Sequence, residues 1–403
     1  MSPRAAPLPT LVVACALALG TAVSLGLARF SYALFLPPMR ADLGWSYLTA
    51  GAMNTSNAAG YLAGALLAPA WLRAFGTRAA FLAGTAATAA FVAAHGLTSA
   101  DSPLYLFRFL SGLVSAVAFV AGGLLAAQLV GAAPTRPGRS APSAGLVLGI
   151  YYGGAGLGIV VSAVLVPLLA ERTAPHAWQA GWLGLGALGG IATAVITAAT
   201  RGLGDASPRT GTASARVAGF AWRRFLPALS AYLLFGLGYI GYMTFIVTLL
   251  RKQHVSDVEV VAFYAMLGAA VAASPWIWAG VLQRFRGGET LALMSALLAV
   301  AALLPVVSSA TLAVFASGLL FGTVMLSLVA STTALVRHNL PAIDWPAGIT
   351  GFTIVFAAGQ IVGPSGIGFI ADRAGGLRAG LACSAGLLAL GAIVAWRQKP
   401  LAR

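Results

Sequence analysis

Carboxylates are scarce in this chain. Nine Asp and Glu occur in 403 residues, and each falls between long apolar runs or at the end of one. Histidine numbers four and cysteine two; Cys15 and Cys383 lie inside apolar runs, have no metal-ligand spacing and carry no redox message, and Cys15 reads as a core residue. The apolar runs therefore hold no convergent acid–base or nucleophile–base set, and no cofactor is implied. A phosphate loop is missing as well, because GGAGLG at 153–158 follows no strand and precedes no lysine. Charged residues make up only 8%, too few for a soluble domain of ordinary composition.

What the chain does contain is apolar surface: 59% apolar residues and a mean hydropathy of +0.90. That composition defines a polytopic membrane protein. A spanning helix needs roughly 20 apolar residues, and unalternating runs of that length exclude a barrel. The expected fold is all-α, with twelve spans near 11–36, 48–70, 79–98, 104–131, 144–170, 178–200, 225–250, 260–282, 289–307, 311–336, 346–371 and 379–396. The N-terminal stretch resembles a signal peptide, yet its apolar run continues into FSYALFLPP and so reads as a retained first span.

A polar segment rich in Gly, Ser, Thr and Arg follows the sixth span and has a linker's composition. It divides the chain into an N-terminal six-helix bundle (1–200), a linker (201–224) and a C-terminal six-helix bundle (225–403). Sixteen of the 24 Lys and Arg fall on the side of the termini, six on the other, and the last two, Arg29 and Arg108, within spans. By the positive-inside rule both termini are expected on the cytoplasmic side. The net charge of +15 then reports topology and attraction to anionic lipid, with no nucleic-acid partner.

The two halves repeat one another. GLARFSYALF at 26–35 aligns with GLGYIGYMTF at 236–245, an offset of 210 that sets Arg29 against Tyr239. SGL recurs in the fourth and tenth spans at an offset of 206, and Glu171-Arg172 matches Asp372-Arg373 at 201. Three matches in chain order support two bundles related by an axis along the membrane normal.

On ARFSYALFLPPM, LFRFLSGLVSAVAFV, YYGGAGLGIVVSAVLVPLL, GLGYIGYMTF and GQIVGP with GFIADRAG, the chain resembles the major facilitator superfamily, specifically its YbfB/YjiJ-type branch. The likeness covers nearly the whole chain. It departs from the superfamily in the loop after the second span, where Arg73 stands at the usually acidic position. The resemblance implies a transporter of a small solute working by alternating access, with spans 1, 4, 7 and 10 lining a central cavity. A non-transporting scaffold or membrane-embedded enzyme is the alternative.

Under that reading Arg29 and Arg108 become the leading substrate-binding candidates, at similar depth, some 7 or 8 Å outward of the midplane at about 1.5 Å per residue. A guanidinium keeps its charge when buried and needs an anion, carbonyls or water. Either both arginines clamp an anionic or carboxylate-bearing solute, or they snorkel to headgroups or cap carbonyls of neighbouring helices. Tyr32, Tyr239, Tyr242, Thr244, Asn57 and Gln360 are the neutral candidates. Tyr239 and Tyr242, three apart, share a helical face, and Asn54 and Asn57 do likewise, with interhelical hydrogen bonding as the competing role. For coupling to a proton or another cation, Glu171 and Asp372 are the titratable candidates by symmetry, although the arginine after each favours a local ion pair. The glycine-rich fifth span suits close helix packing, and the protein is expected to act as a monomer.

Overall fold

A computed structural model describes residues 9–131, 143–170, 174–203, 222–373 and 375–401. Glu171 and most of the linker segment lie outside the described residues. Among those described, no strand occurs and twelve long helices follow one another: α1 Thr10–Leu43, α2 Tyr47–Phe75, α3 Thr77–Ala94, α4 Asp101–Gly131, α5 Ala144–Leu169, α6 Trp178–Ala199, α7 Leu226–Lys252, α8 Asp257–Arg284, α9 Glu289–Val307, α10 Thr311–Asn339, α11 Trp345–Arg373 and α12 Gly376–Trp396. The start of α1 and the end of α12 share one side, the terminus side; the opposite one is the far side.

Eleven of the twelve are apolar enough to cross a membrane by length and composition alone. α2 is long enough but less apolar, because AMNTSNAAGY carries four polar residues in succession. The outer surface is apolar: Leu66, Leu168, Ile191, Val307 and Trp396 are all exposed, as contact with lipid requires. Cys15 belongs to this outer face of α1, not to the core expected for it.

α1 also outruns its expected end at Leu36. Pro37 and Pro38 lie inside its last turns, and the helix stops at Gly44, whose left-handed φ of 66° lets its N–H close on the Arg40 carbonyl. Proline deletes a hydrogen bond without obliging a helix to stop, so the C-cap glycine sets the boundary.

Packing repeats six helices on. α1 packs on α5, α2 on α4, α3 on α4 and on α6; likewise α7 packs on α11, α8 on α10, α9 on α10 and on α12. The bundles meet along two seams, α5 with α8 and α2 with α11, while α1 and α7, the two most enclosed helices, touch at the centre. Glycines set the closest approaches. A Cβ on Gly26 would overlap Gly158, and one on Gly236 would crowd Gly359, so α1–α5 and α7–α11 touch backbone to backbone at positions related by the same offsets, 210 and 201, as the sequence repeat.

α5 uses its glycines on two faces, Gly154 and Gly158 against α1 and Gly153 and Gly156 against α8. Replacing Gly158 by alanine drives a methyl into the Ala22 carbonyl and the Gly26 backbone, neither of which can turn aside. Overpacking of this kind costs about 1–3 kcal/mol. Gly158→Ala is expected to lower the thermal unfolding midpoint in detergent, whereas Gly190→Ala, with open space at its Cβ, leaves it unchanged.

Candidate functional site

The middle of α1 departs from α-geometry. Ala22–Phe30 form a π segment, its last bond running from the Ser31 N–H to the Gly26 carbonyl at 3.0 Å. Wider π turns recur at functional sites because they re-aim the side chains that follow. Here the segment presents Arg29, which is 5% exposed and turned inward to the neighbouring helices.

One Nη2–H of Arg29 donates to Gln360 Oε1 on α11 at 2.8 Å, and Gln360 Nε2 in turn donates to the Tyr239 hydroxyl on α7. The repeat-related pair, Arg29 and Tyr239, is thus joined through Gln360 across the two bundles. The guanidinium carbon stands 5.1 Å from the centre of the Tyr61 ring on α2, a cation–π contact. Among the described residues the buried Arg29 Nε has no hydrogen-bond acceptor.

Arg108 is buried more deeply, at 1% exposure, but is well supplied. Nη1 donates to the Ala28 carbonyl at 2.9 Å, Nη2 to Asn54 Oδ1 at 3.0 Å and Nε to the Met53 carbonyl at 3.4 Å, while the Tyr32 ring lies 4.5 Å beneath the guanidinium carbon. Asn54 Nδ2 passes the chain on to Thr244 Oγ1 at 2.7 Å, and Thr244 donates to the Ile240 carbonyl. Every nitrogen of Arg108 therefore donates a hydrogen bond, whereas Arg29 Nε donates none among the described residues. Among the described residues no carboxylate lies within ion-pair distance of either. The two are not level: Arg29 sits fourteen residues before the end of α1 and Arg108 seven after the start of α4, because both helices extend beyond their expected far ends.

The other candidates divide between site and scaffold. Tyr32 donates to the Ala50 carbonyl at 2.8 Å and stays with the Arg108 group. Asn57 donates to the Arg108 carbonyl and to Ser111, tying α2 to α4. Tyr242 turns away from Tyr239: its hydroxyl pairs with Ser317 at 2.7 Å and its ring stacks on Phe321 at 3.9 Å, inside the C-terminal bundle. Three residues of separation put both tyrosines on one helix flank, but the 60° between them suffices to aim them at different neighbours.

Asp372 forms no pair with Arg373. Its two oxygens accept from the Tyr47 and Leu48 amides at 2.9 and 2.8 Å, capping the start of α2 from the other bundle, and Arg373 lies over Phe369. Together with Thr55 donating to the Ile361 carbonyl and Tyr264 donating to the Phe30 carbonyl, these contacts close the bundles on the far side.

Tyr61, Tyr232, Phe235 and Phe356 belong to this region too, although none is among the sequence candidates. Tyr232, Phe235 and Tyr239 follow one another at i, i+3 and i+7 and stack on Phe356 of α11. Tyr61 continues the Asn54–Asn57 stripe at the same spacing, and that stripe is the signal that could have found it.

Two six-helix bundles with repeated packing, sealed on one side over a buried arginine–glutamine–tyrosine bridge, define a membrane transporter of the major facilitator fold. The chain belongs to the family described as "Uncharacterised MFS-type transporter YbfB", which it matches over residues 21–396. No curated protein matches its sequence. Among solved structures it is similar to a mutant form of the nucleoside transporter NupG, with a TM-score of 0.75, 10% identity and coverage of 95% of this chain and 99% of that one. It is also similar to a bacterial homologue of the human lysosomal transporter Spinster in an inward-facing, unoccupied conformation, with a TM-score of 0.71, 16% identity and coverage of 96% of both chains. At these identities the likeness shows the fold.

Proposed function

We propose that this transporter moves a small anionic solute, bound at Arg29, by alternating access across a bacterial inner membrane, with both termini cytoplasmic and a single chain as the working unit. The supporting observation is the buried guanidinium whose recorded acceptor is a neutral amide and whose Nε has none. A buried cation left in this condition costs several kcal/mol, and a carboxylate approaching Nε and Nη in the fork geometry would supply the missing acceptors. Gln360 and Tyr239 offer further polar contacts from the C-terminal bundle, so a bound solute would touch both bundles at once. Arg108 plays a holding role, fastening α4, α1 and α2 to one another and, through Asn54 and Thr244, to α7.

Binding and movement without chemical turnover fit this arrangement, which favours a transporter over an enzyme. Asp372 is the titratable group best placed for coupling to a proton or another cation, since its carboxylate holds the first amides of α2 across the far-side seam.

Uptake into proteoliposomes from an equimolar mixture of labelled organic acids, sugars and organic cations tests the proposal. Specific flux is expected among the acids alone. Flux confined to a sugar or a cation, or none for any component with protein shown to be folded, would overturn it.

A further inference from the structure

We infer that the solute is a flat-ringed anion, one carrying a carboxylate on or close to an aromatic ring. The inference rests on the anion reading of Arg29 and adds the shape of the remainder of the molecule.

Rings gather on both sides of Arg29. In the N-terminal bundle Tyr61 of α2 lies 6.5 Å from Phe119 of α4, and Phe119 lies 5.7 Å from Tyr152 of α5. In the C-terminal bundle Tyr239 is stacked 5.6 Å from Phe356, and Phe356 is stacked 4.8 Å from Tyr232. Every ring contact recorded among these residues stays within its own group, and Arg29 spans the two, over Tyr61 on one side and through Gln360 to Tyr239 on the other.

These side chains differ from ordinary core aromatics. Tyr61, Phe119 and Phe356 are only half-buried and Tyr152 is exposed, yet the Tyr61 ring carries the buried Arg29 guanidinium, in the middle of the molecule. Accessible surface in the middle of the fold faces the space between the bundles, whereas surface on the rim faces lipid.

The rings also lie on the correct side of the charge. Counted from the far end of its own helix, each of Phe119, Tyr152, Phe356 and Tyr232 is three or more residues deeper than Arg29, towards the terminus side, while far-side contacts close the space above. A ligand with its carboxylate on Arg29 would extend its body between the two aromatic groups. Aromatic faces favour an aromatic partner over an aliphatic one of equal size, because edge and face carry opposite partial charge. A sugar acid or a short aliphatic diacid would leave these faces unused and its own hydroxyls or second charge without partners.

The test uses binding to the purified full chain in detergent, with four probes: benzoate, phenylacetate, cyclohexanecarboxylate and benzyl alcohol. The aromatic acids are expected to bind roughly three- to tenfold tighter than cyclohexanecarboxylate, the range that aromatic contacts supply beyond burial, and benzyl alcohol far more weakly than either. Tyr61→Leu and Phe356→Leu should each shrink the aromatic preference while keeping the requirement for charge. Phe356 is half-buried, so its variant tests the idea even if Tyr61→Leu fails to fold. Equal, Arg29-dependent affinity for benzoate and cyclohexanecarboxylate would overturn the ring inference and leave the anion reading intact. Absence of binding by all three acids, or benzyl alcohol binding as tightly as benzoate, would overturn both.

Discussion

Replacing Arg108 by alanine is expected to destabilise the protein by about 3 kcal/mol or more, because hydrogen bonds to a charged donor are each worth about 1.5–3 kcal/mol. The substitution strips donors from the Ala28 carbonyl and Asn54 Oδ1 and leaves both oxygens buried. It also vacates a large space beside Tyr32, and cavities add their own cost. Returning the guanidinium to water regains part of this, but the unfolded chain in a membrane finds few acceptors so well arranged. Arg108→Lys should fall in between, since a single ammonium keeps the charge but cannot serve three acceptors lying in different directions. Thermal unfolding in detergent measures the order: wild type most stable, lysine intermediate, alanine least. An alanine variant as stable as wild type would show that the Arg108 bonds contribute nothing net.

Arg29→Gln should move stability in the other direction. The unliganded variant is expected to be about 1 kcal/mol more stable than wild type, since it removes a buried cation that has one neutral acceptor and an unmatched Nε. At the same time it should weaken binding of an anionic solute roughly 30-fold or more, the usual consequence of removing one partner from a buried charge pair worth 2–5 kcal/mol. Gains in stability at the expense of function mark a site where strain is kept for a ligand. Paired melting and uptake measurements decide this. Unchanged affinity for the transported anion would remove Arg29 from the site, and a loss of stability matching that of Arg108→Ala would make it a second structural clamp.

Much of this architecture was written in the sequence, since a bilayer leaves the backbone few options. Helix number and the paired offsets of 210 and 201 follow from apolar periodicity and from glycines that only a backbone-to-backbone contact requires. The Arg29–Tyr239 correspondence was likewise readable, as both arise from one repeated segment. Other features depend on which neighbour a side chain meets, and a single helix does not encode that. Tyr242 shares a flank with Tyr239 yet falls against Ser317, and Cys15 points to the rim because α1 buries its opposite flank. Adjacency in sequence suggests Arg373 as the partner of Asp372, but its partners are amides 324 and 325 positions away. Aromatic residues were hardest to assign, because Tyr61 or Phe356 in an apolar run reads equally as core, lipid contact or ligand wall.

The polar stripe of α2 bears on how the protein is made. Asn54, Thr55, Ser56 and Asn57 keep this helix below the hydropathy of the other eleven, and polar side chains at mid-span weaken the partition of a lone segment from the translocon into lipid. Their partners are the Arg108 and Tyr105 carbonyls of α4, made later in synthesis, and Ile361 and Thr244 of the other bundle, made later still. The polar contacts of α2 are therefore completed only after α4 and the C-terminal bundle have been made.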